Sequence, residues 1–569
     1  MDFQKILPQN SKRREIAKKI YKKYFQKYSN EELIYKKWIK NNEPTIKELE
    51  EQKKHKFRVN PKISIVVPLY NTPENFFDDL VKSLQNQTYS NWQLCLADGS
   101  PEPIKYIEKY LKDQRISYKA IGENKGISGN TNEAVKLATG DYIGLLDHDD
   151  LLPMFSLYEV VKAINENEGV EFIYSDEDKL ETTKGPRYGV FFKPDFSQYT
   201  LNSANYICHF SIFKKELMDK LQGFRSEYDG SQDFDIVARA SEETYKIVHI
   251  SKVLYHWRVH QNSTAGNSDS KPYAFEVGKK VIKDHVKRSL DTDVEVIDGP
   301  TPGSYELKYA VKNNPKVSII IDAQNMNKNE MIRVIEKVKC TTYTNYEIAV
   351  ITNEEDIENI IKIREKPENN KFETYNKIIE KITGEYFIII DEKMLNIDKN
   401  TYIEDLLGIC QDNNVAIVGT KLYNENDLIE HNGIVLGMNG VGDFLYKGVP
   451  KNAGTYMQRL IIIHNVSCVY AKYSMIDKKI FNEVKGFNGK CNNILESIEL
   501  CLKFMNIGKQ IIINPMISFK VTNLQDADKP SGDEEIEFMK EWNKNYLQKD
   551  KYFSPNLSYK DTGLSFNID

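Results

Sequence analysis

From residue 61 onward the chain alternates short apolar runs with amphipathic stretches. Ile63-Ser64-Ile65-Val66-Val67 reads as a β run that stops at Pro68, and Tyr70-Asn71-Thr72-Pro73 turns the chain. A helical stretch follows to about Gln87, then a second strand from Gln93 to Ala97 that ends in Asp98-Gly99-Ser100. A helix over Ile104 to Leu111, a short strand near Tyr118, a helix over Thr131 to Ala138 and a strand over Tyr142 to Leu146 continue the series. Strand-length apolar runs separated by helices predict βαβ units and a parallel sheet covered on both faces. Residues 1–58 differ in texture. Ile16, Ile20, Tyr24 and Tyr28 recur at helical spacing, and Leu33, Trp38 and Ile39 continue the apolar positions.

An internal repeat sets the domain count. PKISIVVPLYN at 61–71 returns as PKVSIIIDAQN at 315–325, and LATGDYIGLLDHDD at 137–150 returns as KITGEYFIIIDEKM at 381–394. Gln222-Gly223-Phe224 returns as Lys485-Gly486-Phe487. A period this long is no solenoid; it predicts two copies of one α/β domain. The expected division is a helical basic segment at 1–58, a first domain at 59–297, a Gly/Pro-rich connector at 298–314, a second domain at 315–545 and a tail at 546–569.

Composition narrows the function classes. The 569 residues carry a net charge of −5, which argues against bulk nucleic-acid binding. Residues 1–58 run against that balance, with about 17 Lys/Arg to 8 Asp/Glu. That basic face suits an anionic membrane surface or a partner, or else it is a solvated helical hairpin leaning on the next domain. No apolar run reaches membrane-spanning length and no signal peptide opens the chain, so the expectation is a cytoplasmic protein, with peripheral contact at the inner membrane face through the basic segment. Seven cysteines with no CxxC pair read as free thiols.

The candidate chemistry lies in carboxylates. In an open parallel sheet, ligands sit beyond the carboxyl ends of the strands. Asp98 and the cluster Asp147-His148-Asp149-Asp150 both follow predicted strands and so share one rim. Two aspartates at i and i+2 offer hard oxygen ligands to Mg²⁺ or Mn²⁺. PKISIVVPLYN, LADGS and NKGISGNTNEAVKLATGDYIGLLDHDD, in that order, resemble the nucleotide-sugar half of family 2 glycosyltransferases with the GT-A fold. FIYSDEDKL and VFFKPDFSQYTLNSANYICHF resemble the bacterial branch acting on surface polysaccharides or similar glycans, and GSQDFDIVARA and LYHWRVHQNSTA match its catalytic and closing motifs.

The resemblance implies an α/β chain of two tandem GT-A domains (nucleotide-diphospho-sugar transferase, Rossmann-like) behind a helical N-terminal segment. It implies an inverting, metal-dependent transferase using a UDP- or dTDP-linked sugar and Mn²⁺ or Mg²⁺, with a glycan, lipid-linked glycan or protein acceptor. Pro68, Tyr70 and Asn71 would close the first strand where the base stacks, Asp98 would accept from the base, and Lys125 and Asn130 would line the nucleotide site. Asp147 and Asp149 would hold the metal against the diphosphate. Asp233 would be the catalytic base, Arg258 a phosphate contact, and His256 or His260 a further metal ligand.

Other readings of the same residues stand beside these. Ser231 and Asp233 could cap a helix. Asp176-Glu177-Asp178 reads as a sugar contact or a solvated turn. His209 reads as a satisfied, partly buried histidine. In the second copy the aspartate pair is reduced to Asp391-Glu392-Lys393, the base position falls on Glu496 or Ser497, and the late histidine motif is replaced by Ile517-Ser518-Phe519-Lys520-Val521. That domain is expected to be degenerate, the alternative being a second, metal-independent transferase. A nucleotidyltransferase would want a Gly-rich basic loop where Pro68-Leu69-Tyr70-Asn71-Thr72 stands, and a non-catalytic scaffold would not need the first-domain acids.

Overall fold

The computed structural model describes residues 32–183, 185–260, 272–354, 363–368, 370–491, 493–522, 524, 532–542, 549–562 and 565–568. Ile16, Ile20, Tyr24 and Tyr28, and with them most of the expected basic segment, lie outside the described residues.

The first half is built on strands β1 (Ile63–Leu69), β2 (Trp92–Asp98), β3 (Ile116–Ala120), β4 (Tyr142–Leu145), β5 (Phe172–Leu180), β6 (Arg187–Phe191), β7 (Ser211–Lys214) and β8 (Ile247–Arg258). They form one sheet in the order β3-β2-β1-β4-β7-β5-β6, with β8 on β5. β1, β2, β3 and β4 are parallel, and β7 runs antiparallel between β4 and β5. Leu69 pairs with Asp98, and Val66 with Leu145. β1 and β2 therefore end level and β4 stops three residues short of them, and the chain at Asn71, Asp98 and Asp147 opens on one rim. β1 and β2 are buried along nearly their whole length, as strands covered on both faces must be.

Strands β9 (Val294–Asp298) and β10 (Tyr305–Tyr309) form a hairpin. The stretch 298–314 is thus no simple connector: its Gly/Pro signals mark the hairpin turn, and Tyr305, Leu307 and Tyr309 are buried in the core.

The second half repeats the first. Its strands are β11 (Val317–Asp322), β12 (Tyr346–Ile351), β13 (Ile363–Glu365), β14 (Tyr386–Asp391), β15 (Met394–Ile397), β16 (Val415–Tyr423), β17 (Ile429–His431), β18 (Ile434–Leu436), β19 (Gly442–Phe444), β20 (His464–Val466), β21 (Met475–Asp477) and β22 (Gln510–Val521). The order β13-β12-β11-β14-β21-β16-β22 matches β3-β2-β1-β4-β7-β5-β8, including the one antiparallel strand between β14 and β16.

The repeated motifs do the same work in both halves. Ser64 accepts from the Gly140 amide at 2.9 Å, and Ser318 from the Gly384 amide at 3.1 Å, tying the first strand to the turn before the fourth. Asn132 brackets the backbone of Phe224 with two 2.8 Å bonds, and Asn376 does so for Phe487 at 2.9 and 3.1 Å. The glycine before each phenylalanine has positive φ, 72° at Gly223 and 61° at Gly486, a conformation that a side chain would strain.

The halves are packed together. Tyr199 donates to Asp412 at 2.9 Å, and Asn465 accepts from Ser197 and Tyr199. The helix at 32–42 and the tail close the joint. Tyr35 and Trp38 are buried against Phe192, Phe566 and second-half residues, while Leu33 is 66% exposed. Asn556 of the tail donates to Asp176 at 3.0 Å. Tyr35 and Trp38 thus form a wedge in the joint, while the helix Ile46–Lys54 of the same segment buries no residue. All seven cysteines are free, and no described helix is long and apolar enough to cross a membrane. Replacing Trp38 by Ala should cost about 3–5 kcal/mol through lost burial and the cavity left behind. Urea denaturation of the full chain measures it, and a loss below about 1 kcal/mol would show that the wedge is not bearing load.

Candidate active site

A cavity of about 460 Å³ opens at the carboxyl rim of the first sheet. Pro68, Leu145 and Leu146 form its floor, and Gly126, Ile127, Cys208, His209, Trp257 and Tyr273 its walls. Asp147 reaches it from the loop after β4, and Asp229 and Asp233 from the stretch that leads into the helix Gln232–Glu243. Gly126 opens the helix Gly126–Val135 with φ 77°, and any side chain there would collide with the Asp229 carboxylate.

Asp147 follows β4, and burial pushes its carboxyl above the usual carboxylate range; His209 and His148 oppose the shift, while Asp149 and Asp233 reinforce it. Asp147 and Asp233 line the one cavity. Asp150 is fully buried and pushed up further, by burial first and then by Asp149 and Asp147. It is held by the Tyr255 hydroxyl at 2.5 Å and the Arg258 amide at 2.7 Å. Asp149 meets His260 Nε2 at 2.8 Å. Asp147, Asp150 and His209 each present a ligand atom within 4.8 Å of the others. Carboxylate oxygens with imidazole nitrogens fit Mn²⁺ well and Mg²⁺ through the oxygens.

Asp233 lies in the first turn of the helix Gln232–Glu243. It does not cap that helix: Ser231 at the N-cap donates instead to the Ala274 carbonyl at 2.8 Å. Asn205 donates to Asp233 Oδ2 at 2.8 Å, which fixes the carboxylate toward the cavity.

Several expected site residues stand elsewhere. Trp257 of β8 lines the cavity, and its strand neighbour His256, alternating with it, does not. His256 Nδ1 lies 2.5 Å from Asp178, which also receives Tyr35 and Arg187, each at 2.5 Å. Burial would raise the Asp178 carboxyl, but His256, Arg187 and Tyr35 outweigh it and hold it below its usual value. His256 is therefore a tie between β8 and the wedge helix, away from the acids of the cleft. Arg258 donates to the Asp149 carbonyl at 2.6 Å and to Asp79 at 3.1 Å, so it shapes the aspartate loop and is already paired. Asp176, Glu177 and Asp178 are buried within β5 and form no turn.

The expected nucleotide residues divide. Pro68 lines the cavity. Tyr70 is 44% exposed, and the Asn71 amide donates to Ser100 at 2.8 Å. Asp98 is buried and receives Ser100 N, Ile104 N and Tyr118 OH at 2.9, 3.1 and 2.8 Å, so it shapes the loop after β2. Asn130 accepts from Lys125 N at 3.1 Å and donates to Asn124 at 3.1 Å, and Lys125 Nζ reaches Glu133 at 3.3 Å. Both hold the loop that presents Gly126 and Ile127. The residue that sequence reasoning undervalued is His209. It stacks on Tyr255 at 4.4 Å and faces the acids; its position just before β7, beside β4, was the available signal.

Residues 64–222 match the model of "Glycosyl transferase family 2". An uncharacterized protein of Sinorhizobium fredii, y4gI, is 30% identical over 565 residues, covering 94% of this chain and 61% of the relative. The O-antigen biosynthesis protein RfbC of Myxococcus xanthus is 25% identical over 497 residues, covering 84% of this chain and 38% of the relative. Chondroitin synthase of Escherichia coli is 27% identical over 208 residues, covering 36% of this chain and 30% of the relative. The chain thus spans 61% or less of the length of each of these relatives. Asp147, Asp149 and Asp150, gathered at the rim of a mixed α/β sheet, thus stand within the part of the chain, residues 64–222, that matches the family 2 glycosyltransferase model.

Proposed function

We propose that the first half is an inverting, metal-dependent glycosyltransferase that moves a sugar from a nucleotide diphosphate to a hydroxyl of a glycan acceptor. The observation that carries the reading is that Asp147 and Asp233 line one cavity while Asp149 meets His260 beside it. The name of the Myxococcus xanthus relative favours a surface polysaccharide as the acceptor.

Asp147, Asp149 and His260, with His209 and Asp150 behind them, would hold the ion. A bound divalent cation supplies Lewis-acid stabilisation of the charge left on the diphosphate. The Asp233 carboxylate takes the proton from the acceptor oxygen as that oxygen attacks the anomeric carbon. Asn205 orients Asp233, leaving the second carboxylate oxygen for the acceptor. A single displacement, with the base on the face opposite the leaving group, inverts the anomeric configuration. Trp257, His209 and Tyr273 give the sugar aromatic walls and keep bulk water from the reacting carbon. The second half, with Asp391-Glu392-Lys393 at the matching strand end, keeps the fold without the transfer chemistry.

A panel of labelled nucleotide sugars incubated with Mn²⁺ tests the activity. Slow release of nucleoside diphosphate is expected from one of them, whereas pyrophosphate release or inertness toward all of them contradicts the proposal. With that donor, Asp233→Asn should lower kcat by about 10²–10⁴-fold and leave donor affinity unchanged; a loss confined to affinity contradicts the base assignment. Asp149→Ala should abolish Mn²⁺ binding measured by calorimetry. His256→Asn should instead lower the melting temperature and leave Mn²⁺ affinity as it was, because the ring is bonded to Asp178 away from the cleft. Mn²⁺ affinity lost with His256 would overturn that placement.

A further inference from the structure

The two sheets can be superposed residue by residue through their pairing. In the first, Gly144 of β4 pairs with Ile212 of β7; in the second, Ile388 of β14 pairs with Met475 of β21. Asp147 lies three residues after Gly144, and Asp391 three after Ile388. His209 lies three before Ile212, and Lys472 three before Met475. Lys472 therefore stands where His209 stands, and faces the counterpart of Asp147.

It does more than face it. The Lys472 ammonium lies 2.5 Å from Asp391, with side-chain exposures of 11% and 1%. The Tyr473 hydroxyl donates to the other Asp391 oxygen, and the Lys393 amide donates to it as well, at 3.1 Å. Burial opposes charge on both members. Even so, the lysine holds the Asp391 carboxyl below its usual range, and Asp391 holds the ammonium well above its own. Lys393 occupies the position of Asp149. At the position of the base, ten residues past the repeated glycine, the Glu496 carboxylate accepts the backbone amides of Asn488 and Cys491, each at 3.1 Å. The cleft that remains measures about 120 Å³ against about 460 Å³ in the first half. An ion would have to displace a bonded ammonium from Asp391 and sit beside a second lysine, and the donor set does not fit it.

We propose that Lys472 is a built-in replacement for a divalent ion, and that the Asp391 end of the second cleft is closed to metal and to transfer that depends on a metal there. This borrows from the proposed function only the identity of the metal-binding positions in the first cleft. The test is a count of Mn²⁺ ions bound by the full chain, read from the electron paramagnetic resonance signal of free Mn²⁺. One ion per chain, lost in D149A, is expected. An ion that persists in D149A and disappears in D149A/D391N would overturn the proposal. No ion on the unaltered chain would contradict the metal reading of the first cleft while agreeing with closure of the second. The double variant K393D/K472H restores to the second cleft the residues of Asp149 and His209. It is expected to bind one ion more than its parent, and a count equal to the parent's contradicts the assignment of the exclusion to these lysines.

Discussion

Crowded negative charge is the constraint on which the first half of this chain is built. Asp147, Asp149, Asp150 and Asp233 converge at one sheet rim, and burial and mutual repulsion push Asp147 and Asp150 upward. Like charges gathered in a part-buried cleft destabilise the fold unless a cation or hydrogen-bond donors offset them. Tyr255, the Arg258 amide, His260 and Asn205 supply part of that compensation. What they leave is a cluster of hard acceptors, to which the proposed function assigns a cation, and the Asp233 carboxylate held by Asn205, to which it assigns proton transfer.

The second half meets the same constraint by another route. Its matching aspartate carries a lysine of its own and asks nothing of the solvent. The two halves share strand order, the Ser–Gly tie and the Asn–Phe bracket, so the scaffold has been kept while the charge balance at the rim has changed. Scaffold and chemistry are therefore separable in this fold. The wedge helix and the C-terminal tail bind both halves into one packed unit, and Asp178, His256 and Arg187 carry that joint to the strand that walls the cavity.

Much of this was legible in the residues. The apolar runs predicted β1, β2 and β4 to within two residues, because strands covered on both faces leave no polar alternation to blur them. The repeat predicted two sheets, and Asp147 and Asp149 were singled out from their place after a strand, Asp233 from the motif resemblance. The end of β8 was harder to read. His256 and His260 looked equivalent in sequence, yet His256 lies within β8 against Asp178, while His260 lies past its end and reaches Asp149. Lys125, Asn130 and Arg258 each bond a neighbouring acid or loop amide that lies close in space, partners that the sequence did not reveal. His209 and Lys472 became informative only when the pairing of β7 and β21 showed what they face.

Anomalous X-ray scattering at the manganese edge, from crystals of the full chain soaked with Mn²⁺ and a nucleoside diphosphate, bears most directly on the central claim. A single peak at the Asp149 and His260 side of the first cleft, with the diphosphate beside it and Asp233 across the cavity, is the predicted result. A peak at Asp391, or a diphosphate bound away from the rim that carries Asp147, would contradict it.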